Sequence, residues 1–125
     1  MKILISNSSK EPIYNQISAQ IKDMIIKGEL KAGDPLPSMR FLAKELRISV
    51  ITTKRAYEEL ERDGFIESYT GRGSFVKEQN QNFLKEAILK DIESALMDAC
   101  NKAKKGKISY NELEDILKII YYSEE

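Results

Sequence analysis

The sequence predicts an α+β fold in which three short helices and a β-hairpin come first and two further helices follow. Three observations predict it. Apolar residues recur at three- and four-residue steps in five separate stretches, two strand-like runs surround a turn with two glycines, and serines or Gly/Pro breaks stand where helices must begin or end. Residues 10–78 and 82–123 read as two domains, joined by the polar stretch KEQNQN.

The elements follow in order. Pro12 suits a first helical turn, and Ile13, Ile17, Ile21, Met24 and Ile25 then share one face until Gly28, a residue fitted to a helix C-terminus. The segment GELKAGDPLP is dense in breakers and predicts a structured loop. Ser38 can cap a short second helix with Met39, Leu42, Ala43 and Leu46 inward. After Arg47 and Ile48, Ser49 can cap a third, whose inward stripe is Thr53, Ala56, Tyr57 and Leu60 and which Asp63 and Gly64 close. Phe65, Ile66, Ser68 and Tyr69, then Ser74, Phe75 and Val76, flank the turn Thr70-Gly71-Arg72-Gly73. Beyond the linker, Phe83, Ala87, Ile88, Ile92, Ala95, Leu96 and Ala99 mark a fourth helix to about Lys104, with Gly106 as its stop. Ser109 and Glu112 make a capping box for a fifth, bearing Leu113, Ile116, Leu117, Ile120 and Tyr121.

Two short helices joined by a tight turn, followed by a glycine-tipped hairpin, form the winged helix-turn-helix arrangement, in which the second helix of the pair enters the DNA major groove. An exposed arginine at the tip suits the sugar-phosphate backbone or the minor groove; a solvated turn explains the same residues without DNA. Charge placement points the same way. Net charge is zero, yet residues 1–77 hold 13 Lys or Arg against 10 Asp or Glu, a balance of +3, and the remainder holds 7 against 10, a balance of −3.

Composition narrows the alternatives. There is no histidine, and the single Cys100 cannot form an internal disulfide, so no enzyme, cofactor or metal is expected. No apolar run approaches the roughly 20 residues of a membrane span, and MKILISNSSKEP lacks a secretory core, so the expected location is the cytoplasm. The stretch NKAKKGKISYNE carries the glycine and closing glutamate of a calcium loop, but Ala103 and Lys105 replace its carboxylates and a helix break explains it better. Cys100 is read as a small core residue.

From Pro12 to Val76 the motifs PIYNQI, GELKAGDPLPSMRFLAKEL, KRAYEELERDGFIES and GRGSFV stand in the order of, and the segment resembles, the DNA-binding domain of the GntR family of bacterial regulators. The resemblance implies that Arg40 contacts DNA from the second helix, that Ser49, Thr52 and Lys54 do so from the turn and recognition helix, and that Gly71 and Arg72 do so from the wing. One departure stands out: Val50 and Ile51 occupy the place where many members carry an arginine. An arginine bidentate to guanine discriminates by about 1 to 3 kcal/mol, so its absence implies a site richer in A·T, with Val50 and Ile51 against thymine methyls. Burial of Ile51 under the loop after the first helix is the competing reading. Lys54 is expected to neutralise a phosphate; Arg55 either joins it or pairs with a carboxylate of its own helix, and Arg47 is left open.

Two helices alone bury too little apolar surface, so the tail is expected to pack on a second copy through Phe83, Ile88, Ile92, Leu96, Leu113, Leu117 and Ile120. Its brevity resembles the YtrA-type branch of the family, which implies a small helical dimerisation unit and, often, control of transporter operons. The expectation is thus a homodimeric repressor of an inverted-repeat operator on double-stranded DNA. Any small-molecule inducer would sit at an interface, since so short a tail cannot enclose a pocket of about 300 to 1,000 Å³. The alternative is a winged-helix module that binds protein through Val50 and Ile51.

Overall fold

A computed structural model describes residues 1–123. The chain divides into two compact units, residues 1–81 and 82 onward. In the first, α1 (Ile13–Ile26), α2 (Met39–Leu46) and α3 (Val50–Arg62) precede the antiparallel strands β1 (Ile66–Tyr69) and β2 (Gly73–Val76). The second contains α4 (Gln81–Lys105), which begins at the join, and α5 (Tyr110–Tyr122).

One core holds the first unit together. Ile17, Ile21 and Ile25 of α1 meet Ala56, Tyr57 and Leu60 of α3, with Leu36, Leu42, Phe65, Ile66 and Val76 around them. Burial of each Ile or Leu side chain stabilises by about 1.5 to 3 kcal/mol, and these residues are the stripes that periodicity marks. Two buried hydroxyls lock α3 in place. Thr53 Oγ1 donates to the Met39 carbonyl at 3.0 Å, and Tyr57 Oη donates to the Pro37 carbonyl at 2.7 Å.

The caps form as the sequence implies. Ser38 Oγ accepts from the Phe41 amide at 3.0 Å and Ser49 Oγ from the Ile51 amide at 3.1 Å. Helix C-termini close by a shared pattern, an amide five residues on bonding back to a carbonyl: Glu29 to Met24, Ile48 to Ala43, Phe65 to Leu60 and Ile108 to Ala103. The left-handed residue in these closures is Gly28, Arg47, Gly64 and Lys107 respectively. Thus α4 ends near Gly106 as expected, but the left-handed position falls one residue later, on Lys107.

Two features of this unit are absent from the sequence reading. Residues of the α1–α2 loop pair with β2: Gly33 N donates to Val76 O at 2.8 Å, Val76 N to Asp34 O at 2.8 Å and Leu36 N to Ser74 O at 2.9 Å. The loop therefore ties the wing to the start of α2. The segment before residue 10 also packs on α1. Ile3 joins the core, Gln20 brackets the Leu4 backbone at 2.9 and 2.7 Å, and Gln16 brackets Ser6 at 2.8 and 3.1 Å.

In the second unit the Ser109–Glu112 capping box forms, but α4 and α5 touch little beyond their connection. Their stripes stay open: Ile88, Ile92, Leu96, Leu117 and Ile120 are all exposed. Cys100 is exposed rather than core, because no neighbouring element covers its side of α4. Asn101 to Lys105 are helical, so no calcium loop exists, and the described residues hold no cluster suited to a metal ion.

Candidate nucleic-acid interface

The geometry of α3 separates its sides. Thr53, Ala56, Tyr57 and Leu60 are buried, while Val50, Ile51 and Lys54 point away, and Thr52 is half-buried at the boundary. Ile51 is 74% exposed, so it does not pack under the α1 loop. A branched apolar residue this open on a well-packed helix has its outer surface available to a partner. Ser49, ahead of Val50, has its oxygen engaged in the cap while its O–H stays free to donate.

Arg40 sits exposed in the first turn of α2, two residues after the Ser38 cap. On the wing, Arg72 N donates to Tyr69 O at 3.0 Å, closing a four-residue turn whose third residue, Gly71, has φ 78°. A side chain is strained there, so the tip keeps a glycine beside an exposed Arg72. Ser68 and Ser74 hydroxyls meet at 2.7 Å across the two strands, and the Ser68 amide donates to Glu61 of α3 at 3.1 Å. The wing is thereby fixed to the recognition helix. At its far end, Tyr69 Oη donates to Glu67, and that bond, then the carboxylate's charge, raises the phenol above its ordinary pKa.

Ion pairing takes up only part of the positive charge of this unit. Lys22 pairs with Asp63 at 2.7 Å, Lys27 with Asp23 at 2.9 Å and Arg62 with Glu59 at 3.6 Å, all on the C-terminal parts of α1 and α3 or just beyond. Among the described residues, Arg40, Arg47, Lys54, Arg55 and Arg72 have no carboxylate partner. Their charge is unspent within the chain.

Sequence reasoning left Arg55 and Arg47 undecided, and the structure gives each a place. Arg55 does not pair with a carboxylate of its own helix: its guanidinium stacks 3.9 Å from the Tyr14 ring centre, and Nη2 donates to Tyr14 Oη at 3.2 Å. The partner lies 41 residues away, beyond the reach of a helix-spacing argument. Arg47 holds the left-handed position that ends α2 and opens the turn.

The arrangement, a helix pair closed by a left-handed turn and a wing bonded to its second helix, is matched by comparison with known proteins. The family described as bacterial regulatory proteins, gntR family, matches residues 13–76. The chain belongs to the GntR family. Like its other members, it is a DNA-binding transcription regulator and not an enzyme. The HTH-type transcriptional repressor YtrA of Bacillus subtilis is 36% identical over 118 residues, covering 94% of this chain and 91% of that protein. A GntR family transcriptional regulator from Listeria monocytogenes has TM-score 0.76 at 28% identity, covering 96% of this chain and all of the other. YtrA from Sulfolobus acidocaldarius, a GntR-family transcription factor, has TM-score 0.59 at 42% identity over 73% of this chain and 97% of that one. The similarity to the Bacillus and Listeria proteins extends through the helical tail, which supports the YtrA-type assignment.

Proposed function

We propose that this chain is a cytoplasmic repressor that binds an inverted-repeat operator as a homodimer. The observation that carries the reading is the outward side of α3, where Val50, Ile51 and Lys54 stand exposed on a helix whose other side is buried. In this reading Val50 and Ile51 meet thymine methyls and favour A·T pairs, Lys54 neutralises a phosphate, and Ser49 and Thr52 bond to the backbone or a base edge. Arg40 approaches from α2, while Gly71 lets the wing tip come close enough for Arg72 to reach the minor groove. Repression itself is supported by the name of the Bacillus YtrA relative.

The dimer is supported by the open stripes of the tail. Phe83, Ile88, Ile92, Leu96, Leu113, Leu117 and Ile120 offer more apolar surface than α4 and α5 cover for each other. A second copy would cover it and pair two recognition helices about a twofold axis, matching half-sites one helical turn or more apart. An inducer, if one acts, would bind where copies meet. The 760 Å³ groove along α4, lined by Leu89, Ile92, Leu96, Met97 and Cys100 among others, lies on that surface.

Fluorescence anisotropy with labelled duplexes at two salt concentrations tests the reading. Lys54→Ala and Arg72→Ala are each expected to weaken binding and to lower the slope of log affinity against log salt by about one unit. Salt-independent binding, or binding only to protein partners through Val50 and Ile51, would support a protein-recognition module instead.

A further inference from the structure

We propose that Arg55, held by Tyr14, is a second phosphate contact that extends the DNA interface from the recognition helix to the first turn of α1. The inference rests on the DNA-binding reading above.

Arg55 leaves the carboxylates of its own helix unused. Its own helix offers Glu58 and Glu59 at three and four residues, the spacing that favours an ion pair. Glu59 is instead 3.6 Å from Arg62, and neither carboxylate pairs with Arg55. A cation needed only to hold α1 against α3 would gain more from a carboxylate, since charge-assisted bonds are roughly twice as strong as neutral ones. The same helix pair has such a brace at its other end, where Lys22 meets Asp63 at 2.7 Å. Arg55 has been given an aromatic partner, which orients a cation without neutralising it.

Stacking leaves the edge of the guanidinium open. Arginine has five N–H donors in a rigid fork, and one is spent on Tyr14 Oη at 3.2 Å. The remainder match the oxygens of a phosphate, and the ring contact at 3.9 Å holds the group in place. Arg55 is exposed, so this edge is accessible. It follows Lys54 in sequence but lies about 100° further round the helix, on the side of α1. The two cations therefore address different phosphates. Tyr14, half-buried in α1, acts as the positioning residue.

A duplex of arbitrary sequence tests this, because a phosphate contact is indifferent to bases. Anisotropy titrations between about 0.05 and 0.2 M salt compare the full chain with Arg55→Met, Arg55→Lys and, as reference, Lys54→Ala. Arg55→Met keeps the apolar stem over Tyr14 and removes the charge. The expected result is a salt slope shallower by about 0.9, so that the loss of affinity is about 3.5-fold larger at the lower salt than at the higher. Arg55→Lys, which keeps the charge, should retain the wild-type slope. Arg55→Gln is read as Arg55→Met is, and stands in if the methionine variant does not fold. A wild-type slope for the neutral variants, with Lys54→Ala still reducing it, would overturn the inference and leave the DNA reading intact. No binding of any duplex by the wild-type chain would overturn both.

Discussion

Replacing Tyr57 with phenylalanine isolates one hydrogen bond at the junction that orients the recognition helix. Tyr57 is 1% exposed, its ring fills the core of the winged unit, and its hydroxyl donates to the Pro37 carbonyl at 2.7 Å. Tyr57→Phe keeps the ring and leaves that carbonyl without its side-chain donor. Loss of such a bond with an acceptor left behind costs about 1 to 2 kcal/mol. For a unit of this size each kcal/mol lowers Tm by about 4 to 8 °C, so thermal unfolding followed by circular dichroism should show a fall of about 4 to 16 °C.

The same substitution has a pH signature. Burial pushes the Tyr57 phenol well above its ordinary pKa of 10.0. The folded state thus retains a proton that the unfolded state releases, so the bond's full contribution is present below pH 10 and declines as pH rises above it. The difference in stability between wild type and Tyr57→Phe should shrink as pH rises above 10. Exposed Tyr69 and Tyr110, raised by their glutamate neighbours, are common to both proteins and cancel in that difference. A Tm change under about 2 °C at neutral pH, or a difference that does not shrink in alkali, would refute the reasoning.

Other perturbations separate packing, backbone and recognition. Ile21→Ala empties a position of zero exposure in α1 and should cost about 2 to 5 kcal/mol by denaturant titration, enough to unfold much of the winged unit. Gly64→Ala should cost about 1 to 2 kcal/mol, although nothing lies within 4 Å of the added methyl; its φ of +82° places the whole cost in the backbone. Ile51→Ala, at a position 74% exposed, should change stability by less than about 0.5 kcal/mol while weakening preference for A·T pairs in a competition assay.

What the sequence revealed and what it hid divide by range. Caps at Ser38, Ser49 and Ser109 and the Thr53-Ala56-Tyr57-Leu60 stripe are local signals, set by hydrogen bonds two or three residues away or by helical spacing. They were legible, and with them the exposure of Val50 and Lys54. The strand-like pairing of Gly33 to Leu36 with β2 depends on residues some forty positions apart and has no alternating pattern to announce it. The stacking of Arg55 on Tyr14 is hidden for the same reason. Ile3 and Ile5 alternate, but the glutamines that hold the backbone next to them, Gln20 at Leu4 and Gln16 at Ser6, lie on a different element. At α4 the glycine signal misplaced the left-handed residue by one, because Lys107 takes that position and Gly106 stays before it.

Dimer symmetry and base reading meet in one measurement, the selection of bound fragments from a pool of random duplexes of about 30 base pairs by the full-length chain. The expected result is enrichment of an inverted repeat, its half-sites rich in A·T and about one helical turn or more apart. A pool that returns as random as it entered, or a single unrepeated motif, would contradict it.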